Sequence, residues 1–371
     1  MNESLGIFRH AWDILSKLDP VLLVSLCILL TLGGITLHSA SGENAAMMQR
    51  HSIHLLIAAI AMLVTAQLPS HILSQWSIWI YSAGVALLIL VLFQGATGGG
   101  AQRWLELGAF RFQPSEIMKL AVPMMVASYF SNKTLPPKFL HVVFAAVLVL
   151  IPMLLIAKQP DLGTALLVGS AGFFVIYFAG IAWKWLITFF ISLSAAAPLL
   201  FFFGMEDYQR QRVLTLLDPG SDKLGSGYQI TQSTIAIGSG GVYGKGWLNG
   251  DQSRLDFLPE RHTDFIFAIF GEEFGLLGNL ILLGIYLFII WRGLYLATCG
   301  SDTFSRLLGG SLSLTFFVYL LVNTGMVSGL LPVVGVPLPL ISYGGTSMVT
   351  LMVAFGLLMG LKKRKIGYGT T

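Results

Sequence analysis

The chain has 371 residues, of which 55% are hydrophobic and only 11% charged, with a mean hydropathy of +0.77. Soluble domains carry about 25% charged residues, and 22 basic with 18 acidic side chains are too few to coat a soluble surface of this size. Composition therefore excludes a soluble enzyme and specifies an integral membrane protein. The net charge of +4 reads as the positive-inside bias of such proteins, with no nucleic-acid partner implied. Cys27 and Cys299 lie in or beside apolar runs and exclude a disulfide framework.

A helix crossing the hydrocarbon core needs about 20 mostly apolar residues. That window predicts about ten transmembrane helices, at 21–38, 53–68, 76–94, 116–130, 139–157, 163–179, 186–203, 265–291, 305–331 and 343–361. The fourth is short and contains Glu116 and Lys119. The first is longer than a signal-peptide core and reads as a retained helix. Neither an internal repeat nor a linker divides the chain. The expectation is an all-α polytopic membrane protein, one domain over 1–371.

Basic residues set the orientation. Arg9, Lys17, Lys133, Lys138, Lys184, Arg292, Arg306 and the tail Lys362–Lys365 fall on one side of ten spans, against Arg50, Arg103, Arg111 and Lys158 in the short loops of the other. Both termini are expected to be cytoplasmic. One large extracytoplasmic loop, about 204–264, then lies between the seventh and eighth spans. It holds eight of the eighteen carboxylates together with Tyr208, Tyr228, Tyr243, Trp247 and Phe257. Disordered segments are poor in aromatics, so this loop is expected to fold against the membrane surface, partly as short amphipathic helices.

Ionisable residues in or beside spans are costly and mark function. Four places qualify. In Phe112-Gln-Pro-Ser-Glu-Ile-Met-Lys119, Glu116 and Lys119 lie three apart on one helical face. They are either a buried pair that fixes packing, or Lys119 is a cationic contact for a phosphate. In Lys158-Gln-Pro-Asp-Leu-Gly-Thr164, Asp161 is an N-cap of the sixth span or a polar site residue. In Tyr208-Gln-Arg-Gln-Arg212, Arg210 and Arg212 are solvated charges or a clamp for a diphosphate or lipid headgroup. In Leu258-Pro-Glu-Arg-His-Thr-Asp264, Thr263 or Asp264 suits an N-cap. Yet Glu260, Arg261, His262 and Asp264, with Glu272 and Glu273 beyond them, crowd titratable groups as an active site does.

Two patterns are discarded. Gly238-Ser-Gly-Gly-Val-Tyr-Gly-Lys-Gly246 has Ser239 and Gly246 where a phosphate loop needs Gly and Ser or Thr. The seven His residues show no metal spacing beyond His51 and His54, which read as an interfacial polar edge.

The blocks RWLELGAFRFQPSEIMKLA, QPDLGT, YQRQRV, GSGYQITQSTIAIGSGG, FLPERHTDFIFAIFGEEFG and NTGMVSGLLPVVGVPLPLISYGGTS, in this order from about residue 17 to 361, resemble the SEDS family (shape, elongation, division and sporulation). The chain resembles its elongation-type members more than its division-type ones. The resemblance implies a ten-helix peptidoglycan glycosyltransferase of the inner membrane that polymerises lipid II for cell elongation and rod shape. It would work at the outer face, paired with a class B penicillin-binding protein transpeptidase among other elongation-complex membrane proteins. Carried onto this chain, the essential loop carboxylate falls on Asp264, the ion-pair motif on Glu116 and Lys119, and a further carboxylate on Asp161.

The implied transfer inverts an α-linked diphosphate donor into a β-1,4 bond. It needs one base and cations for the leaving diphosphate. Asp264 is the expected base. Lys119, Arg103, Arg210, Arg212 and Arg261 are the pool of diphosphate contacts. A divalent cation, Mg2+ or Mn2+, is compatible with the diphosphate, but no ligand set demands one. The rival reading is a lipid II flippase, which needs charge through the full depth of the bundle. A scaffold whose charged cleft only docks helices is a third.

Overall fold

The computed structural model describes residues 18–98, 101–107, 110–222, 225–254 and 257–362. Helices occupy all ten predicted spans: α1 Pro20–Ala40, α2 Ala45–Thr65, α3 Ser70–Gln94, α4 Pro114–Ser131, α5 Phe139–Ala157, α6 Leu162–Phe178, α7 Trp183–Leu199, α11 Ile266–Thr298, α12 Thr303–Val327 and α13 Gly345–Gly360. Among the described residues six of these, α1, α2, α3, α5, α11 and α12, are long and apolar enough to cross a membrane. Short side chains set several starts: Asp19, Asn44, Asp161 and Asp302 each accept a first-turn backbone N–H. Arg9, Lys17 and residues 363–365, used for the orientation, lie outside the described residues.

Two apolar cores hold the bundle. One joins α1, α2, α11, α12 and α13 to the segment 336–341. The other joins α3, α4, α5, α6 and α12. α12 serves both, and is the central helix. By contrast α5 is apolar except for His141, yet Phe139, Leu140, Phe144, Leu150 and Leu154 on it stay exposed. Such a helix is stable only where lipid covers it.

The structure departs from the sequence reading in three places. α2 and α3 begin well before 53 and 76, because hydropathy marks lipid contact while helical hydrogen bonding continues through polar residues such as Gln49 and Ser74. α11 is broken at Gly275, which has φ +66° and ψ −164°. And residues 96–112, expected to carry no strand, form a small antiparallel sheet, β1 Ala96–Gly98, β2 Ala101–Leu107 and β3 Phe110–Phe112, in the order β1-β2-β3. The chain between α7 and α11 folds as a π turn Leu200–Gly204, α8 Asp207–Leu217, a 3-10 turn Pro219–Ser221, α9 Ser226–Ser239 and α10 Asp251–Arg254.

At the end of the bundle where α1 begins, Asp19 is 1% exposed and holds three elements. It caps Leu22, takes a fork from Arg292 at 3.0 and 2.8 Å, and accepts from Lys362 at 3.3 Å. This staple ties the start of α1 to α11 and to Lys362, two residues beyond α13.

Candidate active site

Asp264 sits just before α11, whose cap position is Phe265 with no side-chain capping bond. The capping reading of Asp264 therefore falls: its carboxylate does not close the start of α11. Its backbone is clamped on several sides. Asn323 Nδ2 on α12 donates to the Asp264 carbonyl and to the Val336 carbonyl, each at 2.8 Å. Ser342 Oγ donates to Thr263 O at 2.5 Å, and Tyr343 N–H to His262 O at 2.9 Å. The segment between α12 and α13 thus braces the 262–264 turn. Gly335 lies against the Asp264 carboxylate, where a Cβ would stand 3.4 Å from Oδ2.

Asp161 reaches the same segment from α6. At Gly163 a Cβ would lie 2.7 Å from Val336 and 2.8 Å from the Val334 carbonyl, so the start of α6 packs directly on it. Asp161 does cap its helix, taking the Thr164 N–H at 3.0 Å on Oδ1. Its other oxygen accepts from Gln113 Nε2 at 3.0 Å and faces Arg103 at 3.6 Å. The two readings of Asp161 are compatible: one oxygen caps, the other holds a cation. Arg103 is placed by β2, and its buried Nε has no hydrogen-bond partner among the described residues.

Burial pushes the Asp264 carboxyl up to about 6. Glu260 and Asp161 add to the rise, while Arg103 and Arg212 oppose it. Two acids and two arginines therefore act on one half-buried carboxylate. A base so placed is ionised at neutral pH and more basic than an ordinary aspartate. His262 beside it is held below its usual value by burial and supplies no positive charge at neutral pH.

The other sequence candidates are engaged elsewhere. Lys119 is 5% exposed, 2.6 Å from Glu116 Oε1 and 5.1 Å above the Tyr319 ring. Arg210 donates to the carbonyls of Phe201, Phe202 and Met205 at the unwound end of α7. Arg261 donates to Ala40 O at 2.7 Å, at the C-terminus of α1, where a cation also meets the helix dipole. Arg212 stacks over Tyr208 at 5.8 Å while its charge reaches Asp264. The structure gathers Asp264, Asp161, Arg103 and Arg212 electrostatically, and occupies Lys119, Arg210 and Arg261 with partners of their own.

Two residues of the site were missed in the sequence, Gln113 and Asn323. Gln113 stands directly before the Pro114-Ser-Glu start of α4, and the only sequence signal was its position in that block. Asn323, fully buried in an apolar helix, was marked by its composition alone: an amide there must find partners.

The FTSW_RODA_SPOVE family model, a cell cycle protein, matches residues 16–366. The chain is 50% identical over 350 residues to "Peptidoglycan glycosyltransferase MrdB" of Escherichia coli K12, covering 94% of each. It is 34% identical to "Probable peptidoglycan glycosyltransferase FtsW" of Geobacter metallireducens, over 95% of this chain and 96% of that one. Among solved structures, it is similar to a chain from "Structural coordination of polymerization and crosslinking by a peptidoglycan synthase complex", with a TM-score of 0.81, 30% identity, and coverage of 92% and 96%. Thermus thermophilus Rod shape determining protein RodA follows at a TM-score of 0.69 and 27% identity, covering 92% and 95%. With the ion-pair, aspartate and loop-carboxylate blocks all in place, the chain belongs to the SEDS family of FtsW, RodA and SpoVE proteins.

Proposed function

We propose that this protein is a peptidoglycan glycosyltransferase that polymerises lipid II by an inverting transfer at the outer face of the inner membrane, for cell elongation. The observation that carries the mechanism is the raised, half-buried carboxylate of Asp264 with Arg103, Arg212 and Asp161 acting on it. The acceptor sugar's 4-hydroxyl attacks C1 of the donor from the face opposite the diphosphate. Asp264 takes the hydroxyl proton as the O4–C1 bond forms. The bond from C1 to the diphosphate oxygen breaks, and its electron pair leaves on the lipid diphosphate. Arg103 and Arg212 are the cations that stabilise that charge, and Asp161 with Gln113 holds Arg103 in position. Lys119, Arg210 and Arg261 support the architecture through their present partners. A Mg2+ or Mn2+ ion on the diphosphate would draw most of its ligands from the substrate, since no group of three His, Cys, Asp or Glu gathers among the described residues.

A class B penicillin-binding protein is the partner that crosslinks the product, in an assembly with other elongation membrane proteins. The similarity to a chain from a synthase complex supports this. Both termini are assigned to the cytoplasm, with the loop of about 204–264 outside. The flippase reading is disfavoured by the charge pattern: Glu116, Lys119, Asp161, Asp264, Glu272 and Glu273 gather toward one end of the bundle, where α4, α6 and α11 begin, whereas a flippase needs charge through its full depth. The test reconstitutes the chain and its transpeptidase partner in vesicles with labelled lipid II, and reads glycan length and transbilayer movement together. Long glycan is expected; movement without any glycan would establish the transporter instead.

A further inference from the structure

The glycine-rich stretch that fails as a phosphate loop has a different place in the molecule. A break in a membrane helix strands backbone groups that lipid cannot satisfy. At the Gly275 break the stranded groups are taken by residues 241–246. The N–H groups of Lys245 and Gly246 donate to the carbonyls of Glu272 and Glu273, both at 3.0 Å. In return, Leu276 and Leu277 donate to the carbonyls of Gly241 and Val242 at 2.9 and 3.0 Å. Only glycine permits this approach: at Gly244, with φ +78°, a Cβ would stand 2.1 Å from the Glu273 carbonyl oxygen.

Side chains lock the inserted segment. Glu272 is 0% exposed. It accepts from Lys245 Nζ at 2.7 Å and from the Asp251 and Gln252 N–H groups at 3.0 and 3.1 Å. Lys245 also reaches Asp251 Oδ2 at 2.8 Å. Ser39 on α1 donates to Glu273, and Trp247 Nε1 donates to Ile35 O at 3.2 Å. These contacts join the segment and the neighbouring Trp247 to the first half of α11, to α1 and to α10.

The consequence concerns Asp264. The half-helix 266–274 follows it directly, and the hydrogen-bond ladder that would fix this half to the rest of α11 is diverted through residues 241–246. The same residues continue from α9, on the arm that carries Arg212 on α8. We propose that the inserted segment 240–246 positions Asp264 for transfer, and that Lys245 is the positioning residue that holds it in the break through Glu272. This rests on Asp264 acting as the base, as argued above. A base displaced by about 1 Å loses on the order of 100-fold in rate without losing its substrate.

The test measures steady-state lipid II polymerisation by the full chain with its transpeptidase partner, per folded and partner-bound molecule. Gly244→Ala drives a Cβ into the Glu273 carbonyl, and Lys245→Met removes the lock. Both are expected to lower kcat by at least about 10-fold with KM within about twofold. Lys245→Arg restores kcat, and Gly238→Ala, whose Cβ meets nothing within 4 Å, leaves it unchanged. Wild-type kcat in Gly244→Ala and Lys245→Met, or losses that only follow the unfolded fraction, would overturn the proposal. Asp264→Asn in the same assay separates the two claims. If it is inert while the segment variants keep full turnover, positioning alone falls. If it turns over like wild type, the base assignment falls and positioning with it.

Discussion

The Arg103 guanidinium lies 3.6 Å from Asp161 Oδ2, and its charge also lowers the proton affinity of Asp264. One arginine on a small sheet thus serves two carboxylates that stand before the starts of different helices. The pH dependence of polymerisation should report this. Activity falls as pH drops through the Asp264 value of about 6, because the protonated form cannot accept the hydroxyl proton. Arg103→Gln removes a charge that holds that value down, so the acid limb of kcat/KM moves to higher pH. Asp161→Asn removes one that raises it, so the limb moves lower. Shifts in the same direction would contradict the arrangement.

The Glu116–Lys119 pair is enclosed by α4 and the Tyr319 ring of α12. Removing one partner leaves an uncompensated buried charge, which costs about 3–5 kcal/mol. Lys119→Met and Glu116→Gln should each lower the unfolding temperature strongly. The double variant should recover to within about 1 kcal/mol of wild type, because neither charge is then stranded. Thermal unfolding in detergent checks this, and additive losses in the double variant would count against it.

Asp19 gives a pH-linked prediction at the other end of the bundle. Burial raises its carboxyl, but hydrogen bonds from Arg292, Leu22 and Lys362 outweigh that and hold it below its ordinary 3.8. A depressed folded value means stability is present at neutral pH and lost as pH falls through that value. Asp19→Asn should cost about 3 kcal/mol at pH 7. The gap between variant and wild type should narrow below 3.8, as read from unfolding midpoints across pH.

The two loop arginines should separate. Arg210 binds three backbone carbonyls at the end of α7, so Arg210→Ala costs about 1–3 kcal/mol of stability. Arg212 contacts the Tyr208 ring and acts on Asp264. Arg212→Ala should instead lower kcat/KM for lipid II by about 10-fold or more, with unfolding little changed. Steady-state kinetics and unfolding measured on both variants decide the assignment.

Much of this was legible from residue types. The ten apolar runs predicted the helices because lipid contact demands unbroken apolar length, and the aromatic content of the 204–264 stretch signalled its local helices α8, α9 and α10. Asp264, Asp161, Arg103 and Arg212 were named from motifs and charge. The partners of Arg210 and Arg261 were hidden, since a carbonyl acceptor leaves no mark in the sequence. The break at Gly275 was hidden too. Its cause is a long-range exchange with residues 241–246, and Gly275 looks like any other glycine in a membrane helix. The β1–β3 sheet escaped because β1 and β3 have only three residues each and glycines flank the strands, a pattern shared with ordinary loops.

The central claim is that Asp264 is the base. The direct measurement is lipid II polymerisation by wild type and Asp264→Asn, each purified with its transpeptidase partner, resolved by glycan length near pH 7. Wild type should make long glycan. Asp264→Asn should be inert while remaining folded and partner-bound, and more stable by about 1 kcal/mol, because burial penalises the charged form of this carboxylate. Equal glycan from both proteins would contradict the account and move the search for the base to Asp161 and Glu116.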